Sequence, residues 1–167
     1  MIVVGDSLLR GTESPICRPD PTRRAVCCLP GAWVRDISRK LPGLICPSDY
    51  YSLLIVQTGS DEVADRSLRA IKNDFRGLGR LADDADIQVV FAGIPTVAGN
   101  DNAVTRKTHR INTWLRGWCK CKNLGFFDHG VVYLASGLKS ADGYHLSQRG
   151  KRILAQELAG LVERALN

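Results

Sequence analysis

The sequence predicts an α/β fold in which helices cover both faces of a parallel β-sheet. Short apolar runs rich in β-branched residues alternate along the chain with longer segments of helical periodicity, which is typical of this class. None of the short runs alternates polar with apolar residues, as expected for strands buried on both faces. The 167 residues match the common size of one domain, and no linker or repeat divides them, so we expect a single domain over 1–167.

The individual elements follow from these patterns in chain order. Strands are predicted at about 2–5, 25–29, 53–58, 87–93 and 125–128. Apolar residues that recur every three or four positions predict helices at about 32–41, at 63–83, around 111–118, and from 147 onward. Pro42 and Gly43 are expected to end the first of these helices, and Ser147 to cap the last. Trp114 and Trp118, on the third helix, are interpreted as core residues.

The chain carries a formal net charge of +6. Its basic residues concentrate in three segments, which are Arg18 to Arg24, Arg106 to Lys122, and Arg149 to Arg152. Such a surplus favours contact with a polyanion, either RNA or an anionic membrane surface, and a solvated basic face is the alternative. Along the sequence, no aromatic residues alternate with the basic ones as they would on a base-stacking surface. Both interpretations stay open, and the sequence does not indicate an oligomeric state.

Composition also bears on location and on metal binding. No segment approaches the roughly 18 consecutive apolar residues of a membrane span, and the first residues form a strand rather than a signal peptide. We therefore expect a soluble, intracellular protein of the cytoplasm. The six cysteines include no CxxC pair, so we expect reduced thiols, and no pattern indicates a metal or another cofactor. The acidic run of Asp83, Asp84 and Asp86 lies at the end of a predicted helix and is interpreted as a solvated loop rather than a metal site.

Ser7 is the first candidate for chemistry. It belongs to the tripeptide Gly5-Asp6-Ser7, which directly follows the first predicted strand. Ligands of open parallel sheets bind beyond the carboxyl ends of the strands, and a glycine lets the chain turn there. Ser7 is therefore placed to act as a nucleophile. The alternative is that Asp6 or Ser7 only caps a short helix.

Asp142 and His145 form the second candidate group, directly before the last predicted helix. An Asp three residues before a His can direct its carboxylate at the imidazole Nδ1, which leaves Nε2 free to take a proton from a serine. The alternative is a polar loop with an exposed histidine. Ser7 follows the first predicted strand, and this pair precedes the last predicted helix of the same parallel-sheet pattern. Their combination favours a Ser-His-Asp triad.

A third block, Gly59-Ser60-Asp61-Glu62, follows the third predicted strand. Gly-Asp-Ser after the first strand, Gly31 after the second, this block, and Asp-x-x-His before the last helix together resemble the four blocks of SGNH (GDSL-type) hydrolases. The resemblance runs from end to end. The segments VVGDSLLRGTE, RPDP, TRKTHRINTWLRGWC and LSQRGKRILAQELAG are further similar to the esterase-type domain in the first open reading frame protein of chicken-repeat-like LINE retrotransposons.

The resemblance implies a flavodoxin-like, three-layer α/β/α sandwich with a five-stranded parallel sheet. It implies hydrolysis of carboxylic esters, acetyl or lipid esters among them, within an RNA-associated retrotransposon protein. Ser7 would be the nucleophile, His145 the base and Asp142 its orienting partner. The oxyanion hole would take N–H groups from Ser7 and Gly31 and a side chain from position 61.

Asp61 is the departure from this family pattern, because members usually place an Asn there. An ionised carboxylate cannot donate a hydrogen bond to the oxyanion, and loss of one such donor costs about 10² to 10³ in rate. Catalysis could be weak or absent, burial could keep the carboxyl neutral and donating, or Ser60 could donate instead. The sequence therefore supports two hypotheses, a serine esterase and an SGNH scaffold that binds RNA or membrane.

Two other histidines are weaker candidates. His129 follows the fifth strand and could lie near the crevice, but a satisfied structural histidine is the more common case. His109 lies within the basic helix and is expected to face solvent.

Overall fold

The computed structural model describes residues 1–45, 53–96, 102–140 and 145–166. Five strands form one sheet, and these are β1 (Ile2–Gly5), β2 (Ala25–Cys28), β3 (Leu53–Gln57), β4 (Gln88–Ala92) and β5 (Gly125–Phe127). All neighbouring strands are parallel, and their order is β2-β1-β3-β4-β5. The predicted five-stranded parallel sheet is therefore confirmed, with each strand boundary within one residue of its prediction.

In the described ranges, five α-helices and two short 3₁₀ helices surround this sheet. The α-helices are α1 (Glu13–Cys17), α2 (Val34–Leu44), α3 (Leu68–Asp84), α4 (Asn102–Cys121) and α5 (Gln148–Leu166). The 3₁₀ helices span Ser7–Leu9 and Val132–Leu134. Helix α1 and the second 3₁₀ helix are too short to show a helical period and were not predicted, whereas the first 3₁₀ helix is the short helix that the sequence offered as an alternative after Asp6.

The strands bury alternate residues on the two faces of the sheet, which separates the core into two clusters. Val4 and Val56 belong to the cluster that packs against α2, α3 and α4. Val3 and Ile55 belong to the other cluster, which packs against α1 and α5. Because successive side chains of a strand point to opposite faces, helices on both faces complete a three-layer α/β/α sandwich.

Two predicted helix boundaries are wrong. Helix α3 begins at Leu68 rather than near 63, because Ser67 Oγ accepts a hydrogen bond from the Ala70 N–H at 3.1 Å and so caps the helix there. Helix α2 continues past Pro42 to Leu44. The Ile45 N–H donates to the Leu41 carbonyl at 3.0 Å and closes this last turn beyond the proline.

Other predictions about the helices have mixed outcomes. Ser147 caps α5 as predicted, since its Oγ accepts from the Gly150 N–H at 3.1 Å. His109 is exposed on α4, also as predicted. Asp83 and Asp84 are exposed at a helix end as expected, but Asp84 belongs to the last turn of α3 rather than to the loop. Within the described part of the chain, no helix is both long and apolar enough to cross a membrane.

Candidate active site

Ser7 lies at the carboxyl end of β1, an inner strand of the sheet. The strand ends at Gly5, where a Cβ atom would lie 2.0 Å from the carbonyl oxygen of Gln57 on β3. Only glycine permits this approach of the two backbones. Ser7 then begins the first 3₁₀ helix with its side chain partly exposed, so it occupies the position predicted for a nucleophile.

Asp6 forms the turn between β1 and Ser7. Its carboxylate Oδ1 accepts a hydrogen bond from the Leu8 N–H at 3.1 Å, so Asp6, and not Ser7, caps the 3₁₀ helix. The Asp6 side chain is fully buried. Burial and the nearby Asp61 carboxylate raise the pKa of Asp6 to about 7, although N–H groups of Leu8 and Ser60 oppose this shift.

Backbone contacts tie the loops after β1, β2 and β3 together. The Leu29 N–H donates to the Gly5 carbonyl at 2.8 Å, which brings the segment ending at Gly31 alongside the Asp6 turn. On the other side, the Asp6 N–H donates to the Gln57 carbonyl at 3.3 Å. The structure therefore brings three of the four predicted sequence blocks to one edge of the sheet.

Gly31 lies in a tight turn just beyond β2. Its φ angle is +73°, a left-handed conformation that favours glycine, and the Ala32 N–H donates to the Leu29 carbonyl at 3.0 Å across the turn. A Cβ atom on Gly31 would meet nothing within 4 Å. The role of the Gly31 N–H as an oxyanion donor stays a prediction.

The loop after β3 carries two acidic residues, Asp61 and Glu62. Within the described chain, Asp61 Oδ2 is buried and has no hydrogen-bond partner, and the same is true of Glu62 Oε1. Glu62 Oε2 accepts from the Val34 N–H at 3.2 Å and lies 3.7 Å from Arg66 Nη1. Burial raises the pKa of Glu62 to about 7, against the opposing effect of these two partners.

The candidate base lies in a loop that joins the second 3₁₀ helix to α5. The Ser140 N–H donates to the His145 carbonyl at 2.7 Å, and an antiparallel bridge pairs Lys139 with Leu146. Leu146 and Leu8 both belong to the core cluster on the face of the sheet that α1 and α5 cover. His145 is exposed, and Asp142 lies outside the described residues.

His129 is a structural residue, as the sequence suggested. It is buried, with Nδ1 2.9 Å from Glu157 Oε1 and Nε2 2.7 Å from Gln57 Oε1. The Gln57 Nε2 donates in turn to the Gly93 carbonyl at 3.1 Å, and the Tyr133 hydroxyl donates to Glu157. Both ring nitrogens are engaged, so His129 is not available as a general base.

Other reactive groups near the site are few in the described residues. The Cys28 thiol donates to the Asp6 carbonyl at 3.3 Å, and burial raises its pKa, which keeps it protonated and a poor nucleophile. The five cysteines described are free, and Cys46 lies outside the described ranges. No group of three His, Cys, Asp or Glu residues in these ranges could hold a metal ion.

The fold is that of the GDSL-type lipases and acylhydrolases. A GDSL-like lipase from Bacteroides thetaiotaomicron matches with a TM-score of 0.79 at 14% identity, over 98% of this chain and 87% of that one. A member of the lipolytic G-D-S-L family from Veillonella parvula matches with a TM-score of 0.79 at 17% identity, over 98% and 97%. The resemblance to SGNH hydrolases is thus confirmed in the fold.

A more specific similarity is to a retrotransposon protein. The esterase domain of the ORF1 protein from the zebrafish ZfL2-1 retrotransposon is 24% identical over 97% of this chain and 98% of that one, with a TM-score of 0.53. The resemblance to a retrotransposon esterase domain is therefore also found among solved structures, while the assignment to chicken-repeat-like LINE elements stays a prediction. No protein-family model matches the chain, and no curated protein matches it either.

Proposed function

We propose that this protein is a serine hydrolase of carboxylic esters, built on the SGNH fold and belonging to a retrotransposon-encoded protein of the cytoplasm. The observation that carries the proposal is the position of Ser7 at the carboxyl end of an inner strand, beside the loops after β2 and β3. A nucleophile needs a fixed backbone and an accessible side chain. Gly5 and Asp6 fix the backbone of Ser7, and its side chain is partly exposed.

In the proposed reaction, Ser7 Oγ attacks the ester carbonyl carbon while His145 Nε2 takes the hydroxyl proton. The bond to the alcohol oxygen breaks, the alcohol leaves with that proton, and the acyl group stays on Ser7. Water then attacks the acyl group and gives a proton to His145. Ser7 Oγ recovers this proton as the carboxylic acid leaves, and Asp142 orients the imidazole throughout.

The oxyanion hole is the part of the site that is least suited to this reaction. We propose that the N–H groups of Ser7 and Gly31 donate to the oxyanion, since their loops lie side by side. Asp61 occupies the position of the third donor, and its buried Oδ2 has no partner within the described residues. A negative charge at that position opposes the charge of the tetrahedral intermediate, so the esterase should be slow.

The alternative function is a catalytically inactive scaffold that binds RNA or an anionic membrane through its basic surface. The observation that favours it is a group of acidic residues next to Ser7, namely the buried Asp6 and Glu62 and the half-buried Asp61, because negative charge there opposes an oxyanion. Fold alone does not choose between a hydrolase and a binding module.

Hydrolysis of p-nitrophenyl acetate by the parent and by Ser7→Ala tests the proposal. We expect p-nitrophenolate release by the parent above the uncatalysed rate, and release by Ser7→Ala at the uncatalysed rate. The two proteins should have the same circular dichroism spectrum, because Ser7 Oγ does not cap the 3₁₀ helix. Equal turnover by both proteins would exclude Ser7 as the nucleophile, and no turnover by the parent would favour the binding module.

A further inference from the structure

A groove of about 370 Å³ lies on the surface between α3 and α4. Its lining residues are Arg76, Gly79, Arg80, Asp83, Trp118, Lys122 and Leu124. The groove exists because α3 has a glycine where it faces the tryptophan: a Cβ atom on Gly79 would lie 2.7 Å from the Trp118 ring. The ring therefore lies directly against the α3 backbone and forms part of the groove floor.

The groove carries a surplus of positive charge. Arg76, Arg80 and Lys122 are exposed, and none of them forms an ion pair within the described part of the chain. Among the described residues, Arg76 donates a side-chain hydrogen bond to Asn73 Oδ1 at 3.0 Å. Asp83 is the one acidic residue in the lining, so the local formal charge is +2, from three cations and one anion. A concave surface of this charge attracts an anionic ligand.

Aromatic rings accompany these cations. Trp118 stacks on Trp114 with ring centroids 5.3 Å apart and an interplanar angle of 11°. Arg76 lies over the Trp114 ring at 5.2 Å from its centroid, and Lys72 lies over it at 5.7 Å. Arg76 and Arg80 lie on α3, Lys122 directly follows α4, and both rings lie on α4, so basic and aromatic groups meet across the two helices. This combination of cations and aromatic rings is what single-stranded nucleic acids bind.

The groove is separate from the candidate active site. In a parallel sheet with crossover helices, α3 and α4 run opposite to the strands, so their last turns lie at the amino ends of β4 and β5. Asp83 in the last turn of α3 and Trp118 in the last turn of α4 line the groove, and Leu124, which also lines it, directly precedes β5. Ser7 lies at the carboxyl end of β1, at the opposite edge of the sheet.

We propose that this groove binds single-stranded nucleic acid, with phosphates on Arg76, Arg80 and Lys122 and a base against Trp118. A membrane surface fits it less well, because a planar bilayer does not enter a concave groove. Of the five exposed large apolar side chains in the described residues, four lie away from α3 and α4, at Val131, Val132, Leu134 and Leu166. The site does not depend on the proposed esterase activity.

The test is fluorescence anisotropy with a labelled single-stranded RNA of about 12 nucleotides, measured between about 50 and 200 mM salt. The triple variant Arg76→Ala/Arg80→Ala/Lys122→Ala removes the cations of the groove. It should bind at least about tenfold more weakly, and its logarithmic salt slope should be smaller by about 2, since each phosphate contact on a single strand contributes about 0.7.

The matched control removes three exposed arginines outside the groove, in Arg23→Ala/Arg152→Ala/Arg164→Ala. This control has the same net charge as the groove variant and should retain most of the affinity. Inorganic polyphosphate of equal charge should compete poorly, because it has no bases. Equal weakening in both variants, equal competition by polyphosphate, or binding of phosphatidylserine vesicles but not RNA through the groove would overturn the proposal.

Discussion

The Nε2 atom of His129 lies 2.7 Å from Oε1 of Gln57, the last residue of β3. This contact joins the end of an inner strand to α5, because Nδ1 of the same ring lies 2.9 Å from Glu157. The second histidine near the sheet edge therefore supports the framework of the candidate site, while His145 remains the candidate base.

We expect His129→Ala to lower the free energy of unfolding by about 3 kcal/mol, because it leaves a cavity and two buried polar groups without their partner. Urea denaturation measures this loss. His145→Ala is the matched variant: it should change stability little, since His145 is exposed, and should abolish ester hydrolysis. A stable His129→Ala protein would contradict the structural role.

Asp61→Asn should increase ester hydrolysis by about 10² to 10³, because it replaces a repelling carboxylate with an amide that can donate to the oxyanion. The measurement is a pH profile of p-nitrophenyl acetate hydrolysis for the parent and the variant. The double variant Ser7→Ala/Asp61→Asn sets the background. A fall in activity in Asp61→Asn would instead mean that the Asp61 carboxyl itself donates.

The buried carboxyls of Asp6 and Glu62 should make the protein less stable at alkaline pH. Their pKa values are raised to about 7 in the folded state, from 3.8 and 4.5, so the folded protein holds protons that the unfolded chain releases. The resulting stabilisation is complete below pH of about 4 and is lost as the pH rises through about 7.

Urea denaturation at pH 5 and pH 8 would measure this difference for the parent and for Asp6→Asn. An Asn side chain keeps an oxygen acceptor for the Leu8 N–H and does not ionise. The variant should therefore lose less stability than the parent between these two pH values. The same loss in both proteins would show that Asp6 does not contribute.

Gly5→Ala should destabilise the fold by about 3 kcal/mol or more, because the new methyl group would lie 2.0 Å from the Gln57 carbonyl oxygen. Thermal unfolding measures the effect. Gly117→Ala is the control, since Gly117 is exposed within α4 and a Cβ atom there meets nothing within 4 Å. That substitution should raise stability by up to about 1 kcal/mol.

The sheet could be predicted from sequence because each strand is a short apolar run buried on both faces. The ends of the helices were harder to predict, because a single side chain can decide where a helix begins. Ser67 caps α3, and the residues just before it form a turn around Glu62 instead of the predicted first turns of the helix. The edge of the sheet where Ser7, Gly31 and Asp61 lie could also be predicted from the sequence, since each of them comes within four residues of the end of a strand.

Contacts between distant residues could not be predicted in this way. Trp118 reaches Gly79 on another helix, and sequence patterns describe only one helix at a time. The basic and aromatic residues of α3 and α4 lie next to one another in space but do not alternate along the chain, so a stacking surface could not be recognised from the sequence. The burial of Asp6 and Glu62 likewise depends on which loops pack over them.

The order of the strands has a consequence for motion in the native state. β1 is hydrogen-bonded on both sides, to β2 and β3, and all of its residues are buried, whereas β2 and β5 are half-buried edges. Amide hydrogens of β1 should therefore exchange with solvent only when the whole domain opens, while the edges exchange through local fraying. Ser7 lies two residues beyond the end of this slowly exchanging strand. Local opening of the edge strands β2 and β5 should therefore leave the backbone of Ser7 in place.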